Sequence, residues 1–388
     1  MRARFLSLLL VPACLSSPDG VAKSWPPPLA TVDVAAIVTG DLDGDGTSDA
    51  VILVAGTAAT GAGAYFVKGG TDLVASSDAP IKSFTSYRAI ADVGEQASGT
   101  FTTIGGTPAA IFAYEANNQL QMTAFEKAEL TIAGDHATAL PLASGQLVAV
   151  RPIAFPGSNI RLAVISGDDV HHADLSNFAS TAFAVNPMPA ANLGAWHEPQ
   201  VVTSFASGAD QVAAVASRMS IDTSTIPTKP PEQGGMFTWS NVRTGAAWIG
   251  QTAADLGTGR EAVIGFAPGA GGAGQLCAID PSTAGAGACV ATMIMAPSDV
   301  AVLAGKIDTD AMTDVAIVQG GSSGAIVQFA PNPVLSGSTL GGPTLLPAKA
   351  TPITNARAAL YSNGVLLVGK DGATACVGLM IGAVGACK

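Results

Sequence analysis

Gly40-Asp-Leu-Asp-Gly-Asp-Gly-Thr-Ser-Asp49-Ala-Val-Ile-Leu53 joins an acidic loop of the form D-x-D-G-D-G-x-x-D to an apolar, β-branched run. Asp41, Asp43 and Asp45 alternate along a tight turn, so their carboxylates can converge on one point. Thr47 can add a backbone carbonyl and Asp49 closes the cage, while Gly44 and Gly46 allow the left-handed backbone of the turn. An EF-hand would need a bidentate Glu at its twelfth position, and counting from Asp41 that position is Ile52. What remains is a loop of hard oxygen ligands, without His or Cys, feeding a strand. Such a set suits Ca2+, and carboxylates this close repel one another unless a cation lies among them.

The loop resembles that of the FG-GAP or VCBS repeats of integrin α-subunit-like β-propellers, where it joins the first and second strands of a blade. The resemblance implies repetition, and the chain repeats. Gly305-Lys-Ile-Asp308-Thr-Asp310-Ala-Met-Thr-Asp314-Val-Ala-Ile-Val318 has the same spacing, with Lys306 where Asp41 stood and Ala311 in place of a loop glycine. Asp308, Asp310 and Asp314 form a second, weaker ion site, or a loop in which an internal salt bridge has replaced the ion.

Five further segments keep the strand alone: Ala109–Phe112, Leu162–Ile165, Val212–Val215, Ala262–Gly265 and Val365–Val368. With the two loops they recur every 50 to 59 residues, about one blade length. A turn and a further short strand follow each: Ala64–Val67, Leu120–Ala124, Val170–Ala173, Met236–Trp239, Gln275–Ala278, Ala325–Phe329 and Thr374–Val377. The expected fold is an all-β, seven-bladed β-propeller of four-stranded antiparallel blades over residues 31–388. The 45 glycines, a charged fraction of 12% and the absence of a sustained helical period agree with that class.

At the N-terminus, Arg2 and Arg4 precede an apolar run from Phe5 to Val11, and Val11-Pro-Ala-Cys14 ends it. Residues 1–13 read as a bacterial lipoprotein signal peptide, with Cys14 as the lipidated residue, or as an ordinary export signal if Cys14 is not lipidated. Residues 14–30, rich in Ser and Pro, read as a tether. The expected location is the cell envelope, with the membrane reached through the lipid alone. Cys277 and Cys289 lie twelve apart and Cys376 and Cys387 eleven apart, each pair starting in a third strand. An exported chain with an even count at matched spacing points to two hairpin disulfides.

The net charge of −11 and the lack of a Lys/Arg cluster argue against nucleic acid. No nucleophile elbow, H-E-x-x-H or Walker sequence is present, and four Trp and four Tyr offer few stacking platforms for sugars. The sequence therefore reads as a non-enzymatic, monomeric, calcium-binding propeller that binds or scaffolds an unknown envelope protein or glycan. A propeller enzyme acting on polysaccharide or cell-wall material and a purely structural lipoprotein are the alternatives. Asp168, Asp169, His171, His172 and Asp174 cluster in sequence, but adjacent strand histidines point to opposite faces, so an exposed strand after a turn is the better reading than a metal site. The family resemblance places Trp196-His197-Glu198 and the stretch 216–235, containing Arg218, Asp222 and Lys229, on the rim opposite the calcium loops, and together they are read as the candidate contact surface.

Overall fold

Asp49–Val54 and Gly63–Val67 are buried along their whole length, on both faces. A strand buried on both faces cannot alternate apolar and polar residues, and for that reason these segments are continuous apolar runs. The covering comes from sheets packed on either side. In the computed structural model, residues 33–384 are described, apart from breaks of which the longer are 58–60, 70–85, 229–234, 284–286, 296–299 and 342–344; beyond residue 369 the description is of backbone only.

The first sheet pairs Val34–Gly40, Asp49–Val54, Gly63–Val67 and Ser86–Ala89 in that order, all antiparallel. Five more follow the same up-and-down order, each opening on its innermost strand: Ala97–Ile104, Val148–Phe155, Pro199–Ser207, Ile249–Asp255 and Val300–Gly305. These are blades 1 to 6, and side chains are described on every strand of them. After them comes one more four-stranded antiparallel sheet, Thr354–Tyr361, Gly364–Asp371, Thr374–Ile381 and Ala383–Val384, whose two outer strands are described as backbone and whose last strand has two residues. We call it the closing sheet. The fold is an all-β propeller of six four-stranded antiparallel blades, and the expectation of seven is corrected to that count.

Each innermost strand lies against the next, and the strand of the closing sheet returns to Val34–Gly40. Among the described residues no strand is exchanged between the first and last sheets, and the contacts across the seam are side-chain packing and hydrogen bonds. Ile37, Ile52, Val54 and Tyr65 of blade 1 share an apolar cluster with Tyr361, Leu366 and Val368 of the closing sheet. Across the same seam the Thr39 hydroxyl donates to the Leu360 carbonyl, and Arg357 Nε donates to the Val34 carbonyl at 3.3 Å.

Gly40 and Gly305, which open the two acidic loops, leave room for this packing. A Cβ at Gly40 would lie 2.3 Å from the Phe101 ring of blade 2, and one at Gly305 would lie 2.5 Å from Leu360 Cδ1 of the closing sheet. In both places the next blade's inner strand presses a large side chain onto the glycine.

All seven expected second-strand segments fall within second strands. One third-strand expectation is corrected. In blade 4 the third strand is Ser220–Thr225, paired with Asp210–Ser217, and Met236–Trp239 precedes the outer strand Ser240–Thr244. The stretch 216–235 is therefore not one loop, and Asp222 is a buried strand residue that accepts from Ser220 Oγ at 2.8 Å and Asn241 Nδ2 at 2.8 Å. Residues 1–30 and Cys387 lie outside the described residues, and Cys376 is described by its backbone alone.

Cys277 and Cys289 face each other on the third and fourth strands of blade 5 and form a disulfide. Replacing both with Ala should lower stability by about 3 kcal/mol, the loop-closure value for a bridge of this span. Urea unfolding of the oxidised protein and the double variant measures it, and coincident curves would show that strand pairing alone holds this hairpin.

Candidate acidic loop site

The loop after Val34–Gly40 turns on Gly44 and Gly46, whose φ angles are +78° and +84°. Its carboxylates first serve the backbone. Asp41 accepts from the Gly44 and Gly46 amides at 2.8 and 2.9 Å, Asp43 from the Asp45 amide at 3.2 Å, and Asp45 from the Thr47 amide at 2.8 Å. The turn thus folds around its own acids, and loop amides supply the donors that hold them.

Asp49 is the pivot. It is 0% exposed, and it takes three backbone donors: Leu42 N at 2.9 Å and Asp43 N at 3.3 Å on Oδ2, and Gly69 N at 2.8 Å on Oδ1. One side chain thereby joins the loop to the end of the third strand. Burial pushes its carboxyl above the usual carboxylate range, and the three amide donors oppose that rise. A carboxylate has about four lone-pair positions, and these three amides occupy three of them.

Asp314 repeats this arrangement in blade 6. It is buried, accepts from Ile307 N at 3.0 Å on one oxygen and from Asn332 N at 3.0 Å on the other, and so also clasps a loop to the end of a third strand. Asp310 accepts from Asn332 Nδ2 at 2.9 Å and from Met312 N at 2.7 Å. Asp308 lies outside the described residues.

Oxygens of Asp41, Asp43 and Asp49 lie within 4.8 Å of one another, and among the described residues no other set of three or more His, Cys, Asp or Glu side chains is placed to hold a metal. Asp45 is not in that set. It turns instead to Lys68, a residue that the sequence pattern did not single out. Lys68 Nζ lies 2.7 Å from Asp43 Oδ2 and 2.9 Å from Asp45 Oδ2. The hydrogen bond from Lys68 is the main influence holding the Asp45 carboxyl below its ordinary range, and Asp43 and then Asp45 raise the Lys68 ammonium above its own. The loop thus holds a cation, an ammonium from the third strand's end.

The placing of Trp196 on an exposed contact surface is corrected. Trp196 is buried, donates from Nε1 to the Met188 carbonyl at 3.3 Å and packs edge-on against Trp239 with ring centroids 4.9 Å apart. It fastens the interface of blades 3 and 4. Arg218 is exposed and paired with Glu198 at 3.1 Å, while His197 and Lys229 lie outside the described residues. The two adjacent histidines do occupy opposite faces, but of a buried strand and not an exposed one. His172 is fully buried beside Phe155, and its Nδ1 lies 3.0 Å from Arg161 Nη1. His171, 6% exposed, has neither ring nitrogen hydrogen-bonded, and its burial pulls its pKa below the ordinary histidine value.

No family model matches the chain, and no curated protein sequence matches it significantly. Among solved structures, that of a triple arginine-to-alanine mutant of AofleA from Arthrobotrys oligospora is similar at a TM-score of 0.46 and 9% identity, over 84% of this chain and 88% of that one. A likeness at that level decides nothing about function, and the propeller assignment rests on the sheets themselves.

The anchoring role of Asp49 is testable without metal. Asp49→Ala strands three backbone amides in a buried place and should cost about 3 kcal/mol in chelator-treated protein. Asp49→Asn, which keeps one acceptor oxygen, should cost less. Urea unfolding measures both, and an Ala variant within about 0.5 kcal/mol of wild type would remove Asp49 from this role.

His171 supplies a pH test. An unfolded histidine titrates near 6.5 and the folded one lower, so between those values only the unfolded chain takes the proton and stability falls as pH drops. His171→Leu cannot titrate. Between about pH 7.5 and about pH 5 it should lose less unfolding free energy than wild type, and equal losses would show that His171 does not contribute to the acid sensitivity.

Proposed function

We propose that this chain is an exported, lipid-anchored binding or scaffold propeller of the FG-GAP/VCBS type, with a calcium-responsive loop at residues 41–49. The observation that carries the calcium reading is the convergence of Asp41, Asp43 and Asp49 within 4.8 Å on a loop already folded by glycine turns. Calcium at this loop would be held by those three carboxylates, with Asp45 available once it releases Lys68. The ion would supply charge neutralisation and cross-linking, with no part in bond chemistry. The partner is an envelope protein or glycan, and the protein is not an enzyme.

A second reading is favoured by Lys68. Its ion pairs with Asp43 and Asp45, at 2.7 and 2.9 Å, already offset part of the loop's negative charge, so blade 1 would be held by an internal ammonium with calcium as a competitor. Calcium titration separates the two. With a dissociation constant of ~10⁻⁴ M, typical of extracellular calcium modules, millimolar calcium should stabilise wild type by about 1.4 kcal/mol. Asp43→Ala combined with Asp45→Ala should abolish that gain, and Lys68→Met should bind calcium more tightly by removing the competing charge. No calcium-dependent melting shift in either wild type or Lys68→Met would overturn the calcium reading and leave the ammonium-filled loop.

A further inference from the structure

The innermost strands surround an axial cavity of about 590 Å³, within the range of small-molecule sites. Its walls are mostly small or aliphatic, with Val38, Ala301 and Leu303 among them. Two arginines also reach it, and their situations differ.

Arg151 of blade 3 is neutralised. Its Nη2 lies 2.7 Å from Glu261 Oε1 and its Nη1 donates to the Ala253 carbonyl at 3.3 Å. The other oxygen of Glu261 accepts from the Thr203 hydroxyl, so an ion pair and a hydrogen bond on one carboxylate tie blades 3, 4 and 5 together. Glu261 pairs with Asp255 at the turn between the first and second strands, which places this tie toward the rim that carries the acidic loops.

Arg357 sits toward the opposite rim. It lies near the start of its strand, and its bonds go to the carbonyls of Val34, which opens the blade 1 strand, and of Glu95, which precedes the blade 2 strand, at 3.3 and 3.4 Å. Both bonds are long, both acceptors are neutral, and among the described residues no carboxylate pairs with it. A guanidinium has five N–H donors in a planar fork suited to a carboxylate, and a half-buried cation without a counter-charge is costly. The cavity beside it is the right size to bring one.

We propose that the axial cavity binds a small monocarboxylate with a short aliphatic body, its carboxylate on Arg357 and its body among the apolar walls. The charge count favours a monoanion. One guanidinium is available because Arg151 is already paired, and the net charge of −11 disfavours a more highly charged ligand.

Isothermal titration of the purified protein with hexanoate, in low-chloride buffer, tests this. Saturable one-to-one binding is expected, with hexanamide at least tenfold weaker. Arg357→Gln should abolish hexanoate binding. Because Arg357 also bridges two blades, Ala301→Phe is the companion variant. Ala301 is exposed and lines the cavity, so a ring there should block hexanoate while leaving Arg357 and the melting temperature in place. The proposal is overturned if hexanoate shows no saturable binding, if hexanamide or inorganic phosphate binds equally well, or if Ala301→Phe binds as wild type does.

Discussion

Every blade in this ring has to bury both of its faces against neighbours, and the rest of the structure follows from that requirement. The middle strands become unbroken apolar runs because neither face meets water. Inner strands must approach closely enough for Phe101 to sit on Gly40 and Leu360 on Gly305, which explains a glycine before each acidic loop independently of any ion. Since blades share their interfaces, no apolar cluster belongs to one blade. Blades 1 and 2 meet through Leu53, Phe66, Phe112 and Phe125, and blades 3 and 4 through Ile165, Val215, Phe237 and Trp239.

The residue just before the apolar run of a second strand is charged in four blades, and it is used in different ways. In blades 1 and 6 it is Asp49 or Asp314, each bound to backbone amides from a loop and from the end of a third strand. In blade 3 it is Arg161, buried over the Phe155 ring and against His172. In blade 5 it is Glu261, which reaches toward the axis and pairs with Arg151. A charged residue ahead of the apolar run thus serves as a loop clasp, an interface rivet or an axial tie, and its charge and length decide which.

Much of this was legible in the sequence. The second strands were found because their double burial makes them apolar runs at a regular interval. The third strand of blade 4 was missed because Ser-Ile-Asp-Thr-Ser-Thr carries polar residues into a buried strand, where Asp222 is satisfied by Ser220 and Asn241. The aromatic Met236–Trp239 segment looked the better strand and instead packs between blades. Lys68 was missed for a different reason. Its partner Asp43 is 25 residues away in sequence and meets it only because the end of a third strand and the first loop share a rim. A lysine directly after the Ala64–Val67 run was the available signal. That Trp196 is buried, and that Asp49 is a clasp before it is a ligand, depend on packing and hydrogen bonds that spacing does not reveal.

The seam between blade 1 and the closing sheet has one more implication. Among the described residues neither terminal sheet borrows a strand from the other, and each sheet is built from one continuous stretch of chain. The chain order could be cyclically rearranged, with new ends placed in any connection between blades and the old ones joined, without changing a single strand pairing. In evolutionary terms, such a ring can gain, lose or reorder whole blades as units, provided that each new neighbour presents a large inner-strand side chain where the last one did.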